Sequence, residues 1–392
     1  MNIHMNLRSG QCHQKLVASS VFLPDELIAE VFSFLPVKSL IRLKCVSRSC
    51  NSLISEPTFI KLHLNQSSQK TDIILGSFYI DRYAGVSFTV LRMLENPSNI
   101  IPNFLKVPCH QQNHRERYVV GSCNGLLCLF GYSFGKECKA WFRIWNPATG
   151  TISEKLGYME PCLGSPFNFA FGYDDSKNTF KVVNFLRGTT NVRVFSFGDN
   201  VWRNIQDSPL PHHKYITKAV HLTSSVNWLA IQNYFKSHYS CKDIAIEQFM
   251  IISLDLGTET HNKLLPPKGF NEVPFVEPNL SVLKDCLCFS HDYKHSHFVI
   301  WQMKEFGVEE SWTQFLKISY HNLRIDYRSN DQSDFHLLPL CLLEKNHTLL
   351  LVNNDESLTI LYNWIDNRAQ KFNEPTWYDA TLHYVESLVS YC

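Results

Sequence analysis

CNGLLCLF at residues 123–130, followed by FRIWNPATGTISEKL at 142–156, sets out a pattern that the rest of the chain repeats. A short apolar run leaves a turn, and a second apolar run ends in polar turn residues, the signature of an antiparallel hairpin. The same pairing returns as FKVVNFL (180–186) with VRVFSFGDNVWRNI (192–205), and as SSVNWLAIQ (224–232) with FMIISLDLGTETHNKLL (249–265). It returns twice more, as KDCLCFS (284–290) with FVIWQM (298–303) and as NHTLLLVNN (346–354) with LTILYNW (358–364). Taken at Gly125, Phe180, Asn227, Asp285 and His347, successive copies lie 55, 47, 58 and 62 residues apart. That spacing is close to the roughly 50-residue period of kelch-type blades, so divergent blades of a β-propeller explain it best. A pair of β-sandwiches or two smaller β-domains would give a similar texture, and the degenerate repeat leaves the number of blades open.

Over residues 22 to 62 the pattern is helical. In FLPDELIAEVFSFLPVKSLIRLKCVSRSCNSLI (22–54), Pro24 stands at a helix start, and Asp25 and Glu26 complement the N-terminal dipole. Leu27, Ile28, Val31 and Leu35 then share one face, widened by Phe32 and Phe34. Pro36 stops this helix, Lys38 to Val46 forms a second, and Ser47 caps a third that runs through Ile54. About forty residues of helix cannot enclose a stable core, so an apolar face is left for a partner or for the rest of the chain. Lys38, Arg42, Lys44 and Arg48 are like charges four apart in two pairs, which either meet an acidic partner or form a solvated face.

The composition narrows the function classes. The 392 residues are 44% hydrophobic and 13% aromatic, enough for two folded domains. A formal charge of +1 gives no one-signed field to attract nucleic acid or an anionic membrane. The first twenty residues lack the apolar run of a secretory signal, and no segment approaches the roughly 18 apolar residues of a membrane span. Thirteen cysteines without CxxC pairs fit reduced thiols, and hence the cytoplasm or nucleus, where the sequons at Asn65, Asn279 and Asn346 would stay unmodified.

Catalytic and metal signatures give no positive case for an enzyme, and no cofactor is implied. GYSFGKE from Gly131 has one residue too few for a phosphate loop and Glu137 where a Mg²⁺-binding hydroxyl belongs, so it reads as a hairpin turn. HQQNH (110–114) has the histidine spacing of a zinc-protease helix but Gln111 in place of the general base, and reads as a polar loop. The densest ligand cluster is His291, His295 and His297 after Cys286 and Cys288. There, strand alternation points both thiols to one sheet face while the histidines fall in the next turn.

The run from Phe22 to Leu64 resembles an F-box, on the ordered pattern LPxELIxEVxxxLPVKSLxRxKCVSxxxNSLIS. The remainder resembles the F-box-associated domain of the plant F-box/kelch-like group, with GSCNGLLCL, WNPATG, FGYDDSKNTFKVV, ISLDLGTETHNKLLPP and the terminal YVESLVS in order. The resemblance implies an α+β multidomain chain: a disordered tail (1–19), a three-helix F-box (20–64) and an all-β, kelch-type propeller-like domain (65–392). It further implies the substrate-recognition subunit of an SCF-type cullin-RING ubiquitin ligase. The F-box would bind a Skp-type adaptor through Leu23, Pro24, Leu27, Ile28, Val31, Pro36 and Val37, and through that adaptor the cullin and RING subunit. Leu27 and Val31 could equally serve as internal core.

The β-domain would hold a target protein, with loops 131–140, 157–167, 233–243 and 321–334 as candidate contacts. Alternatives are an F-box scaffold or inhibitor acting without a cullin, a carbohydrate-recognising propeller, and a propeller enzyme with convergent carboxylates. One departure stands out. Where the family pattern has a tryptophan in SxSWNSL, this chain has Cys50, a large loss of apolar area in the third helix.

Overall fold

The computed structural model describes residues 23–67, 72–76, 85–89, 103–105, 115–133, 139–160, 168–186, 189–211, 219–232, 243–325, 336–353, 358–373 and 380–391. The expected tail 1–19 and the HQQNH segment lie outside these residues.

Helix α1 spans Asp25–Ser33, α2 Val37–Lys44 and α3 Arg48–Ser55. Pro24 and Pro36 cap the first two, and Asp25 and Glu26 occupy the first turn of α1. Ser47 caps α3 as the sequence predicts, its Oγ accepting the Cys50 N–H at 3.1 Å. A fourth helix, α4 (Pro57–Ser67), extends the three expected ones. Pro57 opens it at the position where the missing N–H costs nothing, and Phe59 and His63, four apart, turn inward. His63 places Nε2 2.9 Å from the Leu35 carbonyl, tying α4 to the α1–α2 elbow. Val37, Leu40, Ile54 and Phe59 form the module's core.

Six antiparallel sheets follow among the described residues. Blade 1 comprises Asp72–Gly76, Gly85–Thr89 and Asn103–Leu105, with Ala380–Tyr384 returning from the far end of the chain as its innermost strand. Blade 2 runs from Arg115–Cys123 to Leu156–Met159, blade 3 from Asn168–Asp174 to Val201–Asn204, and blade 4 from Val220–Leu222 to His261–Leu264. Blade 5 runs from Asn279–Leu283 to Trp312–Ser319, and blade 6 from Leu338–Leu343 to Arg368–Asn373. The repeat found in the sequence is the second and third strand of blades 2 to 6. The inner strand of each blade escaped it, being shorter or less regular in pattern.

Among the described residues, five interfaces between neighbouring blades each have their own apolar filling. Phe130, Phe142, Phe171 and Phe195 lie between blades 2 and 3; Phe185, Val194, Trp228 and Leu254 between 3 and 4. Leu229, Phe249, Phe289 and Met303 fill the space between blades 4 and 5, and Cys288, Ile300, Leu349 and Ile360 that between 5 and 6. Tyr384 packs with Leu127, Leu129 and Trp145 to close blade 1 on blade 2. Because both faces of a blade are covered, a middle strand such as Ser225–Ile231 is buried at every position and loses the alternation of a half-exposed sheet.

Contacts between inner strands join like ends. Cys123 Sγ lies 3.5 Å from His221 Nδ1, and the Tyr173 N–H donates to His221 Nε2 at 3.1 Å, all near strand C-termini. Asn279 Nδ2 donates to the Leu337 carbonyl at 3.4 Å, where two inner strands begin. The inner strands therefore run in one direction. First-to-second and third-to-fourth strand turns gather on one face, and second-to-third loops and blade-to-blade connections on the other.

Candidate interaction surfaces

Helix α1 carries the most exposed apolar stripe near the N-terminal end. Leu23, Leu27, Val31 and Phe34, spaced at three or four residues, are 60%, 48%, 63% and 53% exposed, although side chains at that spacing share one helix face. Between core and surface, the alternatives for Leu27 and Val31, the structure selects surface. Ile28 is half-buried, and Pro24 and Pro36 are exposed. Val37 is fully enclosed beside Leu40 and Ile54, so it supports the α1–α2 elbow from inside. Lys38, Arg42 and Arg48 are exposed and Lys44 half-exposed, placing basic groups on α2 and α3. Cys50 is partly buried against the module core, with a free thiol.

The module sits on the face that gathers the first-to-second and third-to-fourth strand turns. Ala148, in the turn Asn146–Thr151 of blade 2, and Leu388, beyond the last strand, both join its core. The four candidate loops are framed by strand ends at the opposite face. Segments 131–140 and 233–243 link second to third strands in blades 2 and 4, while 157–167 and 321–334 lead from blade 2 to 3 and from 5 to 6. Residues 134–138, 161–167, 233–242 and 326–334 of these loops lie outside the described residues. At the base of the first, Ser133 N–H donates to the Lys139 carbonyl at 2.9 Å, closing a hairpin as read from GYSFGKE.

The histidine and cysteine cluster of blade 5 is divided by its sheet. Cys288 packs toward blade 6. His291 lies within the strand Cys286–Tyr293 instead of the following turn, and its ring packs against Phe270 and Phe289 on the blade 4 side. Its Nδ1 lies 2.9 Å from the Asp292 carbonyl and its Nε2 accepts from Trp301 Nε1 at 3.3 Å, so both nitrogens are engaged. Burial lowers the pKa of His291 from its usual range. Among the described residues no three ligand side chains converge on a metal position.

A second polar group, missed in the sequence, ties blade 3 to blade 4. Lys181, 1% exposed, places Nζ 3.0 Å from Asp174 Oδ2 and 2.9 Å from Glu259 Oε1, and also donates to the Leu256 carbonyl. Asp174 Oδ1 accepts from Ser176 Oγ at 2.6 Å and from the N–H groups of Ser176 and Lys177. Burial pushes the Asp174 pKa up, but the hydrogen bonds from Ser176 and Lys181 and the Lys181 charge leave it below the ordinary value. The alternating DDSKNTFK pattern hid this pin, because Glu259 belongs to the next blade.

The chain matches the F-box domain over residues 22–62 and the F-box associated beta propeller domain over residues 82–391. It is 27% identical to an F-box/kelch-repeat protein of Arabidopsis thaliana, over 76% of this chain and 79% of the relative. It is 24% identical to the F-box protein CPR1 of the same plant, over 94% of this chain and 89% of the relative. No helix among the described residues is long and apolar enough to cross a membrane.

Proposed function

Since this chain belongs to the F-box proteins that carry an F-box associated beta propeller domain, we propose that it is the target-recruiting subunit of an SCF-type ubiquitin ligase. Leu23, Pro24, Leu27, Ile28, Val31 and Pro36 dock a Skp-type adaptor and through it the cullin and RING subunit, while Val37 holds the elbow beneath them. The loops of the opposite propeller face hold a target protein for ubiquitination and degradation. The observation that carries this reading is that the module's core is closed by Val37, Leu40 and Ile54, each fully enclosed, yet α1 still presents Leu23, Leu27 and Val31 outward. An apolar stripe of that kind beside a complete core marks a partner site.

In this reading the chain performs no bond chemistry. It holds target lysines near a ubiquitin-charged conjugating enzyme, converting an encounter into a nearly intramolecular step. Placing the helical module and the recognition loops on opposite faces leaves both ends free to bind at once. In this reading the protein works in the cytoplasm or nucleus, where thiols stay reduced.

Co-purification of the full chain with adaptor and cullin is the test. Wild type is expected to retain both, and a Leu23/Pro24 double substitution neither. Retention of adaptor without cullin would replace the ligase role by a scaffold or inhibitor, and no adaptor binding by wild type would overturn the reading.

A further inference from the structure

The segment after the strand Ala380–Tyr384 stays buried once blade 1 is closed: Val385 and Leu388 are each 8% exposed and Ser387 is fully enclosed. Ser387 Oγ donates to the Asn124 carbonyl at 2.8 Å. Asn146 Nδ2 donates to the Ser387 and Val389 carbonyls, both at 3.0 Å, and the Val389 N–H returns to Ser387 Oγ at 3.2 Å. Asn146 Oδ1 meanwhile accepts from the N–H groups of Ala148 and Thr149, at 2.9 and 3.2 Å. A single buried amide thus holds both the segment bearing Leu388 and the turn bearing Ala148. The fit against the Asn124-Gly125 turn is close. A Cβ on Gly125, whose φ is +77°, would lie 2.3 Å from Ser387 Oγ and 2.6 Å from the Val385 carbonyl oxygen.

Leu388 enters the helical module's apolar core with Val37, Leu40, Ile54 and Phe59, and the half-buried Ala148 packs against that core. A module of this size gains from borrowed apolar surface, and a junction held by the chain connection alone would leave the two parts free to reorient. We infer that residues 384–390 are a strut that fixes the orientation of the helical module on the propeller, with Leu388 and Ala148 as its positioning residues. The strand that closes the ring continues directly into the strut, so ring closure and module orientation are set together. The consequence for function rests on the ligase reading above: a fixed orientation decides which target lysines come within reach of the conjugating enzyme.

The test uses the full chain, with fluorophores placed by amber suppression at Lys61 and Asp366, both exposed and outside the strut. Single-molecule energy transfer should give one narrow distance distribution for wild type. Leu388→Ala and Ala148→Asp should each broaden it by about twofold or more, and Leu388→Met should restore it. Adaptor affinity should stay within about twofold throughout, because the exposed stripe of α1 is untouched. Should Leu388→Ala unfold, Ala148→Asp decides, since it leaves ring closure intact. Unchanged widths in the folded variants overturn the strut. Loss of the ligase reading shows separately, as failure of wild type to bind adaptor, and leaves the comparison of widths valid.

Discussion

In the helical module, Val37, Leu40, Ile54 and Phe59 are enclosed while α1 and its two flanks leave Leu23, Leu27, Val31 and Phe34 exposed. In the propeller, strands such as Ser225–Ile231 and Thr348–Asn353 are enclosed at every position, and even Lys181 is buried. One region is small, with apolar surface left over; the other is large and takes polar groups inside by supplying partners. The difference follows from geometry, since a blade is covered on both faces by its neighbours whereas a short helix on the outside of a four-helix module has only one covered side. An exposed leucine in α1 therefore points to binding, and a buried charge between blades points to stability.

The largest effect that would sharpen this contrast is expected at Lys181. Lys181→Ala leaves Asp174 buried without its cation, and such losses cost about 3–5 kcal/mol, to be read in urea unfolding followed by tryptophan fluorescence. A change below about 1 kcal/mol would mean that water replaces the ammonium. On the other side, Leu27→Asp with Val31→Asp should lower adaptor affinity by at least about 30-fold, some 2 kcal/mol. The unfolding midpoint should shift little, because both sites are exposed. Equal loss of stability and binding would place these residues in the core after all.

A smaller effect is expected on acidification. Burial lowers the pKa values of His221, His261 and His291 below the usual range. The unfolded chain then takes up protons that the native propeller refuses. Stability is fully present above about pH 6.5 and declines as pH falls through that value. A thermal-melting profile that is flat from pH 7 down to pH 5 would contradict this. The smallest effect is expected at Cys50. Cys50→Trp should raise adaptor affinity severalfold by adding apolar area worth about 1 kcal/mol at the half-open rim of the module core. Unchanged or lower affinity in a titration would show that Ile41 and Leu43, which pack on the same core, have already closed the space.

Much of this was legible in the chain. The helix starts at Pro24 and Ser47 follow from local chemistry, α2 begins at Val37, just ahead of the expected Lys38, and the five recurring hairpins point to the propeller through their interval. Turn backbones carry the repeat better than side chains do: Asn124, Asn178, Thr223, Lys284 and His347 all adopt positive φ where second strands begin. Helix α4 was missed because His63 reads as polar, although it is buried through its contact with the Leu35 carbonyl. Blade 1 was missed because its innermost strand, Ala380–Tyr384, lies some three hundred residues from the other three, a separation that no local pattern spans.

The sequence by itself determined the succession of a helical region and a β-region, and the family, since both rest on residues near one another along the chain. It also supplied the list of apolar residues in and around α1 and α2. Which of those face outward was decided only by the tertiary structure, since burial of Val37 and exposure of Leu27 depend on what packs against each. The same holds for the Lys181 pin and for Leu388 in the module core. Each joins groups on different elements, and their distance in space is set by ring closure.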